Sequence, residues 1–256
     1  MFSHFTLQPA RAQSGTIIIN PDGSISSPVP ANITTHDNVT YTFTGNNYLP
    51  IVVNRSNIII NGRGYTVQAS GSSGFSVYDI SNVTIKNTTI TNSAIGIYLD
   101  SSFNDNLSGN NVIANKFDGV ELFGSYNNII SDNTFTSDGL EVWSAFQNVV
   151  TDNLVNGKPL VYLENMVNQV VSDAGQVVLV DCDGIVISDL NLSHASIGVE
   201  LWNTRNARIT DNNMTSNYEG VFLYSSYNNT LSGNNITNNE DRGILTTYSS
   251  SDNVVF

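Results

Sequence analysis

Apolar and polar residues alternate along this chain in short bursts, and the bursts recur at a nearly fixed spacing. A small polar residue opens each copy, at Asn82, Asn104, Asn127, Gln147, Asn168, Gly184, Asn206, Asn228 and Asp252. Successive openings lie 20 to 24 residues apart, apart from one step of 16 between Asn168 and Gly184. Three residues after every opening stands an aliphatic side chain, in the series that runs from Ile85, Leu107 and Ile130 to Val255. Eight residues after most of them comes another apolar one, such as Ile90, Val112, Phe135, Met214 and Ile236. A longer copy begins at Asn57. Each copy then carries a second segment, often opened by glycine, at 96–99, 119–122, 139–142, 198–201, 220–223 and 243–245.

Alternation with period two is the signature of a strand with one side in and one side out. Strands this short cannot bury a face alone, whereas stacked copies bury it continuously. No 3.6-residue apolar period of useful length competes, and a sandwich of longer strands would not hold so fixed a register. The pattern therefore predicts an all-β solenoid of parallel coils. Asparagine recurs six residues after the opening, at Asn110, Asn133, Asn153, Asn212 and Asn234. Stacked amides can bond to the copies above and below, so these five predict a structural ladder.

Two stretches depart from the repeat. The 16-residue step predicts a coil that loses a strand or tightens a turn, with Ala174 and Gln176 in place of asparagine and an aliphatic. The copy before it has Lys158-Pro159 where its neighbours have glycine. Residues 15–56 do not fit the register, although 16–20, 41–43 and 51–53 read as strands. They are expected to cap the open first coil, since a bare sheet edge invites pairing. Residues 57–256 are expected to form the solenoid, and the chain stops at Val255-Phe256 in mid-coil, as if part of a longer polypeptide. Ala10-Arg11-Ala12, followed by Gln13-Ser14-Gly15, has the form of a signal-peptidase site, so 1–14 reads as the tail of a truncated signal peptide. The expected location is secreted, cell-surface or periplasmic.

Charge narrows the partners. Acidic residues outnumber basic ones 22 to 9, for a net charge of −13, and such a field repels phosphate backbones, which argues against nucleic acid. No apolar run is long enough to cross a bilayer. The single cysteine excludes an internal disulfide.

Segments such as Tyr126-Asn127-Asn128-Ile129-Ile130-Ser131-Asp132-Asn133 and Tyr227-Asn228-Asn229-Thr230-Leu231-Ser232-Gly233-Asn234 resemble the repeats of NosD-type periplasmic proteins, within the wider pectate-lyase-like superfamily of carbohydrate-binding and sugar-hydrolysing domains. The start of the chain, from Gly15-Thr16-Ile17 through Ile58-Ile59-Ile60-Asn61-Gly62, resembles the cap of secreted archaeal members. The resemblance spans nearly the whole chain. It implies a single-stranded right-handed parallel β-helix of about nine to ten rungs with an N-terminal cap. It says less of function, because the shared residues are those that build rungs.

Three chemistries remain to be placed. Along the second segment of each copy, the outward positions form two stripes. One runs Tyr98, Glu121, Glu141, Tyr162, Glu200, Phe222, and the other Asp100, Phe123, Trp143, Glu164, Trp202, Tyr224. Sugar rings stack on aromatic faces while carboxylates take their hydroxyls, so the stripes predict one elongated surface for an extracellular glycan or other cell-surface component. The same stripes could equally be cross-strand pairs that brace a sheet or a structural surface protein. A polysaccharide-active enzyme, hydrolase or lyase, is the alternative: it needs two carboxylates about 5–10 Å apart, and Glu121, Glu141 and Glu200 are the candidates. No Gly-His-Gly or Arg-Ile-Lys signature accompanies them. No cofactor is required, though Asp181 and Asp183 could hold calcium; Asp-Gly is also an ordinary turn. Copper processing, implied by the NosD resemblance, would call on Cys182, Met1, Met166, Met214, His4, His36 and His194, which lack ligand spacing.

Overall fold

The computed structural model describes residues 15–256. The expected signal remnant, with Met1 and His4, lies outside the described residues. The described residues wind into about ten parallel β coils, with no helix among them. From Ile51–Val53 through Phe75–Tyr78, Ile95–Asp100 and Asp118–Phe123 to Leu140–Trp143, each long strand pairs in parallel with the one a coil later. Two further parallel sheets of short strands complete the first five coils.

The turns explain why small polar residues recur. Asn57, Asn82, Asn104, Asn127, Gln147, Asn168, Asn206, Asn228 and Asp252 all have φ between 53° and 60°, and Gly184 has φ 70°. One left-handed residue bends a strand through a corner, and asparagine and glycine tolerate that conformation best. A second left-handed corner follows five residues later, at Asn87, Asp132, Asp152, Asp189 and Asp211.

The residue after that second corner turns inward. Asn133 Oδ1 accepts from the Asn110 backbone N–H at 2.9 Å and its side-chain amide at 3.0 Å, while Asn133 Nδ2 donates to the Leu107 carbonyl at 2.8 Å. Asn153 receives Asn133 in the same way, and Asn234 receives Asn212. A second ladder runs one residue after the openings, through Asp105, Asn128 and Asn148 and again through Asn229 and Asn253. Each amide satisfies corner groups that no strand reaches, which is what allows them to be buried.

Of residues 15–56, Ile17–Ile19, Thr40–Phe43 and Ile51–Val53 already pair in parallel with the coil that follows. Only Ile25–Ser26 and Ile33–Thr35 pair antiparallel, doubling back beside the first coil.

The winding breaks once. Leu154–Val155 closes the fifth coil, and after Asn156-Gly157 the chain reverses, pairing Val155 with Lys158 and Leu154 with Pro159. The strand Lys158–Glu164 then founds a second stack, through Gln176–Val180, Ile197–Trp202, Glu219–Tyr224 and Arg242–Thr247. The 16-residue step falls here: its coil passes from Val170–Val171 directly to Gln176–Val180 without a third strand. Every residue of Gln176–Val180 is buried. Val177 and Leu179 enter the second stack's core, while Val178 and Val180 join the first. The outer face of the second stack thus covers the open end of the first.

Candidate functional site at the junction cleft

The two stripes do not form one continuous surface. Tyr98, Glu121 and Glu141 lie in register on the first stack, as do Asp100, Phe123 and Trp143. Tyr162, Glu200 and Phe222 belong to the second, separated by Val178, and Glu164, Trp202 and Tyr224 by Val180. The hairpin at 156–157 turns this second pair of rows onto the end of the first stack. The expectation of a single exposed face is corrected accordingly. Glu200 and Phe222 are wholly buried, and Trp202 is only 7% exposed. Trp202 stacks on Tyr224, with ring centroids 3.7 Å apart, and Trp143 abuts Trp202, Phe222 and Tyr224 at 5.1–6.0 Å. Tyr162 donates to Glu164 at 2.8 Å. This half of the stripes braces the junction.

Glu200 has a specific task there. Leu140–Trp143 is the last strand of its sheet, so its outward backbone groups have no next strand. The Val142 N–H donates to both Glu200 oxygens at 3.2 and 3.3 Å. The Gln176 amide makes paired bonds with the N–H and carbonyl of Leu140 at 2.9 and 2.7 Å. Burial, and the nearby Glu141, hold the Glu200 carboxyl well above the ordinary range.

Of the remaining stripe residues, Glu121, Phe123, Glu141 and Trp143 border an open cleft of about 450 Å³ where the stacks meet, whereas Tyr98 and Asp100, in register with them one coil earlier, are not part of its lining. Asp118, Glu121, Phe123, Glu141 and Trp143 line the first wall, and Tyr218, Glu219, Asp241 and Arg242 the second. Carboxylate oxygens of Asp118, Glu121 and Glu141 all lie within 4.8 Å of one another. Asp118 is 4% exposed, and its Oδ1 has no hydrogen-bond partner. Arg242 bonds Glu219 at 2.9 Å and Asp241 at 3.1 Å. Burial first, then the crowding of like charges, pushes Glu121 up to about 7; burial and Glu141 do the same to Glu219, against the pull of Arg242. Burial drives Asp118 well up, with Glu141 adding to it, and burial also raises Glu141. Phe117 and Tyr218 meet edge to face across the cleft, 5.2 Å apart, and it continues past them into a cavity of about 390 Å³.

Asp118, Tyr218, Glu219 and Arg242 were not among the stripe residues. Their shared signal is a polar residue just before or two before the glycine that opens the second segment. Asp118 sits in register with Ile95, and Glu219 with Ile197 and Arg242. Asp181 and Asp183 lie elsewhere: Asp181 accepts from Asn203, and Asp183 pairs with Arg205 at 2.9 Å and accepts from Asn206 at 2.7 Å.

Residues 146–255 match the family described as periplasmic copper-binding protein NosD. The donors here do not fit copper. Cys182 is buried and donates its thiol proton toward the Leu163 and Val180 carbonyls, Met214 is buried in the second core, Met166 is exposed, and among the described residues neither His36 nor His194 belongs to a convergent group of three ligand atoms. Among the described residues, the convergent group of three ligand atoms is all carboxylate, a set that suits harder ions. No curated protein matches the sequence. Among solved structures, an alginate lyase from Paenibacillus sp. aligns over 81% of this chain and 91% of its own, at 14% identity and a TM-score of 0.41. The A-module of an Azotobacter vinelandii mannuronan C-5 epimerase aligns over 84% of each chain, at 14% identity and 0.33. PfbA, a surface adhesin of Streptococcus pneumoniae, aligns over 76% of this chain and 64% of its own, at 14% identity and 0.36. Among the described residues no helix is long and apolar enough to cross a membrane. The parallel coils agree with the match of residues 30–174, more than half of the sequence, to the right-handed β-helix region, and the chain belongs to that family.

Proposed function

We propose that this protein is an exported, surface-exposed β-helix that binds a neutral, hydroxyl-rich extracellular glycan in the cleft between its two stacks. One observation carries the reading: partly exposed Trp143 and Phe123 stand beside Glu121, Glu141, Glu219 and Arg242 in one open cleft. Aromatic faces take the apolar side of a pyranose, and carboxylates accept its hydroxyl protons. The net charge of −13 disfavours uronate polymers by simple repulsion. Export is supported by the small-x-small sequence Ala10-Arg11-Ala12. A glycan array on the full chain tests the reading. Trp143→Ala should weaken a hit about tenfold or more, the loss of one ~1.4 kcal/mol contact. An array without hits, or hits indifferent to Trp143→Ala, would defeat it.

A second reading, a polysaccharide-active hydrolase, is favoured by Glu121 and Glu219, carboxyls on facing walls both pushed up to about 7. An acid that still holds its proton near neutrality can protonate a leaving group. Reducing-end release from a bound glycan, abolished in Glu121→Gln and Glu219→Gln with binding retained, would establish it. Binding without turnover leaves the first reading in place. Copper processing is not proposed, given the donor set.

A further inference from the structure

We infer that Asp118, Glu121 and Glu141 form a binding site for a divalent cation of the calcium class, built into the junction cleft. Three observations converge. The ligand-atom spread has the right size: calcium takes oxygen ligands at about 2.3–2.6 Å, so oxygens around one ion lie at most about 5 Å apart, and these lie within 4.8 Å. Asp118 supplies the second observation. Its side chain is nearly fully buried and Oδ1 receives no hydrogen bond, although its carboxyl belongs to the group that faces the cleft. A buried carboxyl oxygen without a donor is a costly feature that a ligand removes, and the Asp118 and Glu141 carboxyls meet side chain to side chain, where a cation can stand in place of a shared proton. The third is the balance of charge. Glu219 and Glu200 also act on this group, and the nearby Arg242 is engaged by Glu219 and Asp241, so that among the described residues no side-chain cation pairs with the triad.

The register gives the site its rigidity. Glu121 and Glu141 are partners on adjacent parallel strands, and Asp118 opens the strand that carries Glu121. A cation here ties the last two long strands of the first stack together beside the junction. All-carboxylate ligation selects a hard ion, and the open cleft leaves room for water in the remaining coordination positions. Asp183, engaged by Arg205 and Asn206, provides a comparison outside the cleft. Cation binding at this triad requires no saccharide in the cleft.

Terbium provides the probe, since it occupies calcium sites and emits when a nearby tryptophan is excited, and Trp143 lines the same cleft. Titration of the full chain with Tb³⁺ should give saturable sensitised emission from one site that Ca²⁺ displaces. Asp118→Asn and Glu141→Gln should each weaken it about 10- to 100-fold, whereas Asp183→Asn should leave it unchanged. Circular dichroism identifies any variant that fails to fold, and Glu121→Gln, at a half-buried position, serves in its place. The absence of sensitised emission, or equal emission from wild type and all three cleft variants, would overturn the site. Failure of the glycan array with the terbium result intact would count against the glycan reading alone.

Discussion

Asp105 and Asp138 show what the amide ladders require of each member. Asp105 Oδ1 accepts the Val83 N–H at 2.7 Å, as an asparagine oxygen would. Its other oxygen is buried with no partner, while one coil on, Asn128 uses the equivalent nitrogen to donate to the Ser102 carbonyl. Asp138 repeats the substitution: Oδ2 accepts twice from Asn115, and Oδ1 is unpartnered. A protonated carboxyl can donate where the amide would, and an ionised one cannot. Burial accordingly pushes both groups up to about 7, against the bonds that favour ionisation. A folded pKa raised above the unfolded value contributes stability below about pH 4 that falls as pH rises and is gone above about 7. Asp105→Asn and Asp138→Asn should therefore stabilise the protein at pH 8 by about 1–3 kcal/mol each, with the gain shrinking toward pH 4. Urea midpoints at the two pH values check this, and an equal effect at both would contradict it. The recurring asparagines are legible in the sequence because position and residue type coincide. These two aspartates are harder to see, since Asp is also an ordinary turn residue.

At the scale of the strand, edges decide more than centres. Leu140–Trp143 ends its sheet, and Gln176 and Glu200 take the place of the missing neighbour. Removing the Gln176 amide would leave two buried backbone groups of Leu140 unsatisfied, at about 1–3 kcal/mol apiece. Gln176→Ala should cost about 2–6 kcal/mol in total, against roughly ±0.5 kcal/mol for Thr134→Ala on an exposed strand face. Denaturant unfolding of the two variants separates these outcomes; similar losses would mean that the amide caps nothing of consequence. Gln176 is conspicuous in the sequence as a break in the aliphatic pattern. Its partner is invisible there, because Leu140 lies 36 residues earlier in the chain. A local repeat reports which residues share a coil face, and it carries no information about which strand is left at an end. The same limit hides the cleft. Glu121 and Glu141 could be paired from their spacing, but Tyr218, Glu219 and Arg242 reach them only through the reversal at 156–157.

The whole molecule is two stacks in which the second closes the first. Solenoid coils normally stabilise only their immediate neighbours, and the two apolar cores are distinct. What couples them is the outer face of the second stack: Leu160, Val178, Val180 and Trp202 are all buried within the first core. Burial of such side chains is worth about 1.5–3 kcal/mol each, so the contact contributes roughly 6–12 kcal/mol before the compactness of the unfolded chain is allowed for. That is comparable with the stability of an ordinary domain, enough to make neither stack open without the other. Wild type should accordingly unfold in one calorimetric transition. Val178→Asp places a charge in this dry contact and should split the transition in two, the earlier one exposing the end of the first stack. Because that variant risks misfolding, the pair Val178→Ala and Val180→Ala offers a milder route: combined, they should broaden or divide the transition while leaving the second core's Val177 and Leu179 untouched. A single sharp transition in every variant would mean that the stacks are coupled by the continuous ten-stranded sheet rather than by the face packed against it. The cleft is formed by the same contact, so glycan and cation binding should weaken in whichever variants divide the transition.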